Sequence, residues 1–299
     1  MKKIFLLLAM ALMVIGLVAG CGKSSDSGDK KSGTIGFSVS TQNNPFFVSL
    51  KNGIEEEAKA LGLKVKIVDA QNDPAKQAND ISDLLESGVS LLIINPVDSA
   101  AISTSVEMAN NKNIPVITVD RSADKGKVVA HIASDNVKGG EMAAQLIIDK
   151  VGNGAKVGEL EGIPGASATR ERGQGFHNVA DKALTVASKQ SADFDRTKGL
   201  NVASNMLQAN PDIQAIFAHN DEMALGAIQA AKSAGKNVFI VGFDGTADAE
   251  KAVQDGTLAA TIAQQPELMG KIAVDTAAKV VKGETVEAKI PVELKVVTK

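Results

Sequence analysis

From Thr34 onward, short apolar runs rich in Val and Ile alternate with longer amphipathic stretches. The runs Thr34–Ser40, Lys64–Asp69, Leu91–Asn95, Val116–Asp120 and Val128–Ile132 read as strands. So do Lys156–Leu160, Leu184–Ser188, Ala215–Ala218, Val238–Gly242 and Ala259–Ile262. Most show little polar alternation, the pattern of strands covered on both faces. Between them, Phe46–Leu61, Ala75–Glu86, Ser99–Asn111, Val137–Lys150, Ser191–Gln208 and Glu222–Ala234 carry helical periodicity. Strands alternating with helices of this length build parallel sheets from βαβ units, so the fold class is α/β.

The pattern repeats. From Ile35, Asn95 and Asp120 lie 60 and 85 residues on; from Val157, Asn220 and Asp244 lie 63 and 87 residues on. LLIIN-P-VDSAAIS matches AIFAHN-D-EMALGAIQ, and PVITVD matches VFIVGFD. The repeat predicts two similar doubly wound lobes. In open α/β sheets, ligands bind outside the carboxyl ends of the strands. Those ends carry Asn44, Asn95, Asp120, Arg121, Asn220 and Asp244, and two lobes facing each other there form a ligand cleft.

Composition narrows the ligand. A net charge of −3 gives no basic footprint for nucleic acid. The single cysteine allows no disulfide within the chain, and with no Trp or Tyr, aromatic ligand contacts fall to the nine Phe. In Asn43-Asn44-Pro45-Phe46-Phe47, Asn44 suits a helix cap and Pro45 the first turn. Adjacent Phe46 and Phe47 point about 100° apart on a helix, so one is expected in the core and the other in the crevice. Asp120-Arg121 and Phe243-Asp244 bring carboxylates, guanidinium donors and a ring face. That equipment suits a neutral polyhydroxylated ligand. Arg170 and Arg172 cannot share a helix face, and local sequence does not choose which enters the cleft.

Nothing points to catalysis. His131, His177 and His219 lack metal-ligand spacing, and no G-x-S-x-G elbow, P-loop or strand-linked G-x-G-x-x-G occurs. No metal or cofactor is expected, and the chain reads as a binding protein rather than an enzyme.

The first residues are a leader. Lys2-Lys3, the apolar run from Ile4 to Val18, and Ala19-Gly20 form a signal peptide over residues 1–20. Cys21 follows directly, as in the bacterial lipobox, where such a cysteine receives diacylglycerol. Residues 21–33 are then the lipidated Cys and a flexible tether. Together these place the folded part outside the cytoplasm, anchored to the membrane as a lipoprotein.

The remaining chain resembles the ribose-binding proteins, the substrate-binding components of ABC sugar transporters with the type I periplasmic-binding fold. The resembling stretches, in order, are NNPFFVSLK, INPVDS, IPVITVDR, HIASDN, RERGQGF, ADFDRTKGLNV, NDEMALGA, VGFDGT and LAATIAQ. By this resemblance the sugar is held by Asn44, Phe46, Phe47, Asn95, Asp120, Arg121, Arg172, Phe194, Asn220, Phe243, Asp244 and Gln264. His219 stands where the family pattern has Gln. The resemblance also implies three crossings between lobes, near Ser134, Gln264 and Val292, forming a hinge. The N-terminal lobe then comprises residues 34–134 plus 265–292, and the C-terminal lobe residues 135–264 plus 293–299. The implied partners are a monosaccharide, D-ribose first with allose, galactose or a furanosyl signal molecule as alternatives, and the permease of an ABC importer. The implied state is a monomer.

Overall fold

The structure, a computed structural model, describes residues 33–299; the signal peptide, Cys21 and nearly all of the tether lie outside the described residues. The first sheet is built from β1 (Thr34–Val39), β2 (Lys64–Asp69), β3 (Leu91–Ile94), β4 (Val116–Val119), β5 (Ala130–Ser134) and β11 (Lys289–Val292). Its helices are α1 (Pro45–Ala60), α2 (Pro74–Glu86), α3 (Ser103–Asn111) and α9 (Pro266–Val281). The second sheet uses β6 (Lys156–Glu161), β7 (Thr185–Ser191), β8 (Ala215–Ala218), β9 (Phe239–Asp244), β10 (Ala260–Ala263) and β12 (Lys295–Thr298). Its helices are α4 (Asn136–Val151), α5 (Ser167–Ala183), α6 (Arg196–Ala209), α7 (Asp221–Ser233) and α8 (Ala247–Asp255).

The strand orders are β11-β5-β4-β3-β1-β2 and β12-β10-β9-β8-β6-β7. Every pairing is parallel except β12 on β10. Both lobes are therefore doubly wound, with the order reversing between β1 and β3 in one and between β6 and β8 in the other. The uninterrupted apolar strands have a direct explanation. In β3, Leu91 and Ile93 enter one core while Leu92 and Ile94 enter the core on the opposite face. In β8, Ala215 and Phe217 point to one side, Ile216 and Ala218 to the other. Fully burying one such large apolar side chain contributes about 1.5–3 kcal/mol, so a polar residue at either register is costly.

The chain passes between sheets after β5, after β10 and after β11. After the first passage, α4 packs on the second sheet through Ala143, Ala144 and Ile147; after the second, α9 packs back on the first through Met269, Ala273 and Val274. Neighbouring α4 and α5 touch backbone to backbone. A Cβ on Gly140 would sit 2.2 Å from the Arg172 carbonyl oxygen, and one on Gly175 would sit 1.9 Å from that of Val137. Only glycine permits this approach, and it fixes the height of Arg172 on α5.

Several sequence expectations are adjusted. The helix expected from Ser99 begins at Ser103, because Asp98 accepts from the Ala100 and Ala101 N–H groups and holds a turn there. The helix expected from Ser191 begins at Arg196, capped by Asp195, after Asp193 and Phe194 adopt left-handed backbone. β11 and β12 escape the strand reading. Each has four residues, begins with an exposed lysine and lies on a sheet edge, where apolar content is low.

Behind the second sheet's strand ends, a hydrogen-bonded chain of side chains runs from buried Glu159 and His219 out to exposed Asp181. Glu159 on β6 receives His219 Nε2 on one oxygen and His177 Nε2 on the other, both at 2.9 Å, and His177 Nδ1 reaches Asp181 at 2.7 Å. Burial works to raise the Glu159 pKa, but the His219 bond and the two imidazoles outweigh it and hold it below its usual 4.5. Burial likewise works to lower His177, but its bond to Asp181 and the charges of Glu159 and Asp181 keep it above its usual 6.5. The Glu159 contribution is present above pH 4.5 and lost as pH falls through its folded value. The His177 contribution is full below pH 6.5 and lost as pH rises through its folded value. In thermal melts across pH, His177→Gln is expected to reduce the loss of stability that sets in above pH 6.5. An unchanged alkaline limb in that variant would remove His177 as its source.

Candidate functional site

The carboxyl ends of the two sheets face each other across a narrow space lined by both lobes. Its walls are Asn44, Phe46, Phe47, Asp120 and Arg121 from one lobe, and Ala168, Arg172, Phe194, Asn220 and Asp244 from the other. Nine of the residues carried over from the resemblance thus share one cavity. Asn95, Phe243 and Gln264 do not line it; they form the layer behind.

Each wall residue is placed by its element. The Asn44 side-chain oxygen caps α1 by accepting from Phe46 N at 2.9 Å, which turns its amide donors away from the helix. Asn220 caps α7 in the same way, accepting from Met223 N at 3.0 Å, and its amide donates to the Phe194 carbonyl. Phe46 and Phe47 both line the cavity and both belong to the core, packed edge to face with centroids 5.1 Å apart. The expected division of one core and one crevice residue is corrected: both rings sit in the first turn of α1, just past the carboxyl end of β1, where core and cavity adjoin.

Three wall residues hold left-handed backbone without being glycine: Asp120 at φ 64°, Phe194 at φ 60° and Asp244 at φ 123°. Such conformations cost about 1–3 kcal/mol each and persist where surrounding structure over-determines them. Here they turn side chains off the sheet ends into the space between the lobes. The left-handed Phe194 also explains why its helix starts late.

Four buried ionisable groups meet in the cavity. Arg121 donates to the Pro96 carbonyl at 3.1 Å and lies over the rings of Phe47 and Phe194 at 5.0 and 5.2 Å. Its Nε is 3.6 Å from Asp120 and has no hydrogen-bond partner. Arg172 donates from Nε to Asn136 at 2.9 Å, from Nη1 to the His219 carbonyl, and stands 3.6 Å from Asp244. Its guanidinium lies 3.8 Å from the Phe243 ring centroid, which explains why Phe243 forms the floor beneath the wall. Burial raises the Asp244 pKa well above the usual carboxylate range; Arg172 opposes this, and the charge of Asp221 adds to it.

The residues behind the wall orient it. Asn95 is held by protein groups on both sides of its amide, accepting from Ser40 N and donating to Val119 O and to Asp120 Oδ2 at 3.2 Å. Gln264 donates to Asp244 at 2.9 Å while its Oε1 is buried without a partner. Of the two candidate arginines, Arg170 is exposed and Arg172 buried in the cavity wall.

Two supporting residues escaped the sequence reading. Asn136 joins Arg172 to Glu171, and its only signal was its place in HIASDN, directly after the first crossing. Asp221 is fully buried and accepts from Thr246 N, Thr246 Oγ1 and Thr261 Oγ1, with burial pushing its pKa up to about 7. It holds the turn after Asp244, and its signal was the NDEMA motif, read for Asn220 alone. Asp221→Ala strips the acceptor from three buried donors and is expected to cost about 3 kcal/mol in a denaturant melt. A loss below about 1 kcal/mol would show that the turn does not depend on it.

A balanced set of two guanidinium and two carboxyl groups, with three Phe rings, holds a neutral hydroxyl-bearing molecule better than an ion. Comparisons with known proteins agree in kind. The profile of the periplasmic binding protein domain matches residues 35–285. The Ribose import binding protein RbsB of Bacillus subtilis (strain 168) is 63% identical over 92% of this chain and 90% of its own. The protein of the same name from Haemophilus influenzae is 54% identical over 100% of both chains. Among solved structures, the Caulobacter myo-inositol binding protein bound to myo-inositol superposes with a TM-score of 0.86 at 30% identity, covering 90% of this chain and 94% of that one.

Proposed function

The chain belongs to the periplasmic binding protein domain family, and from that premise we propose that it captures D-ribose between its lobes and delivers it to the permease of an ABC importer. It is a binding protein without chemistry of its own. The observation that carries the reading is the lining of the cleft, to which both lobes contribute, with paired Arg and Asp groups around Phe faces. Hydroxyls both donate to Asp120 and Asp244 and accept from Arg121 and Arg172, while ring C–H groups lie on Phe46, Phe47 and Phe194. The names of the Bacillus and Haemophilus relatives support ribose as the sugar.

The lobes in this reading are residues 34–134 plus 265–292 and residues 135–264 plus 293–299, with the three passages between sheets as the hinge. A sugar that contacts both lobes binds the closed form better than the open one, and only that difference drives closure. The permease then reads the closed form. Asn95, Phe243 and Gln264 act by orienting Asp120, Arg172 and Asp244. A monomer suffices, because both halves of the cavity come from one chain. Cys21, by its lipobox context, carries the acyl chains that hold the protein outside the cytoplasm at the membrane.

Calorimetric titration of residues 33–299 with D-ribose, then allose, galactose and glucose, tests the ligand. Ribose is expected to bind one to one and most tightly; heat only with another sugar would overturn the ribose assignment. Asp120→Ala or Arg121→Ala should each cost about 2–4 kcal/mol of affinity, since a buried charged partner is left unpaired. A loss of tenfold or less from both, about 1.4 kcal/mol, would contradict the site. For the anchor, Cys21→Ala in the full chain is expected to move the protein from the membrane fraction to the medium or periplasm. Retention at the membrane would refute lipidation at that residue.

A further inference from the structure

We propose that Ser99, Ser167 and Arg170 set the sugar affinity of this protein without touching the sugar, by clasping the two lobes to each other at the edge of the cavity. The inference rests on the reading of the cleft as a monosaccharide site.

Ser99 follows β3 in the first lobe, and Gly165 to Ser167 follow β6 in the second. These are strands at the reversal point of each sheet, so their carboxyl-end loops face one another. The Ser99 N–H donates to the Gly165 carbonyl at 3.0 Å, and the Ser99 hydroxyl oxygen accepts from Ser167 N–H at 3.1 Å. The Ser167 hydroxyl oxygen in turn accepts from Ser122 N–H at 2.9 Å. Ser99 and Ser167 are 0% and 2% exposed. Farther out, Arg170 Nη2 meets Asp124 at 2.9 Å across the same seam, and its Nη1 donates to the Gly165 carbonyl at 3.0 Å. The loops fit closely: a Cβ on Gly165 would lie 1.9 Å from an Asp98 carboxyl oxygen.

None of Ser99, Ser122, Ser167 or Arg170 lines the cavity, yet Arg121 and Ala168, next in sequence to Ser122 and Ser167, do. The clasp thus joins the lobes directly beside the wall and by protein groups alone. Every one of its cross-lobe bonds exists only when the lobes are together. In an opened molecule the same groups bond to water, and each lobe keeps its own core. The apparent affinity of a ligand falls by the fraction of molecules in the competent form. Weakening the clasp therefore lowers affinity while every sugar contact stays in place. A net hydrogen bond is worth a severalfold change in an equilibrium, and the exposed Arg170–Asp124 pair less.

The test is calorimetric titration of the wild type, the double variant Ser99→Ala/Ser167→Ala, and the single and paired variants of Arg170→Ala and Asp124→Ala, each with a sugar-free melt. The double variant is expected to lose about tenfold or more in affinity. Arg170→Ala should lose about threefold. The Arg170 and Asp124 changes should be non-additive in affinity but uncoupled in the sugar-free melt, a split that a purely structural role would not produce. Affinities all within about twofold of wild type would overturn the proposal. So would affinity losses matched by equal losses of sugar-free stability. Wild-type protein that gives heat with another monosaccharide and none with D-ribose overturns the ribose reading instead, and the variant comparison is then made with that sugar.

Discussion

Arg172 is the joint on which the site depends. One buried guanidinium bonds to Asn136 just after the first crossing, to the carbonyl at the end of β8 through His219, and stands beside Asp244 at the end of β9, above the Phe243 ring. Burying a guanidinium is costly unless hydrogen bonds and a nearby carboxyl offset the lost hydration. Those contacts draw α4, α5, β8 and β9 to one point. The close approach at Gly140 and Gly175 is the steric condition for that convergence.

The strained residues belong to the same economy of placement. A strand running off its sheet carries side chains up or down, toward the helices, and not forward into the space between lobes. Left-handed backbone at Asp120 and Asp244 breaks that alternation at the two corresponding positions of the repeat. Asp tolerates this conformation better than most residues, since its short side chain bonds locally. Phe194 has no such help, and its position rests on packing beneath Arg121 and against Gly162, where a Cβ would strike the ring.

The two lobes divide the work unevenly. In the first, Asn95 fixes Asp120 directly, and Arg121 is met by the Pro96 carbonyl and two ring faces. In the second, Gln264 and Arg172 hold Asp244, with Arg172 above the Phe243 ring, and a hydrogen-bonded chain of His219, Glu159 and His177 leads from the strand end toward the surface of α5. The internal repeat thus preserved the position of the site while the supporting chemistry diverged.

The alternation of apolar runs with amphipathic stretches by itself determined two parallel-sheet lobes, because a strand buried on both faces leaves no room for polar residues. The repeat located Asn95, Asp120, Asn220 and Asp244 at corresponding strand ends, since doubly wound sheets bind ligands there. The choice of Arg172 over Arg170 and the roles of Phe194 and Gln264 came from motif resemblance, not from periodicity. Only the tertiary structure separated Asn95, Phe243 and Gln264 from the cavity wall, brought Phe46 and Phe47 to it together, and revealed Asn136, Asp221 and the serine clasp. The reason is physical. Core formation follows from local hydrophobic pattern, which a sequence displays, whereas the use of a polar side chain depends on which donors and acceptors distant strands bring within bonding distance.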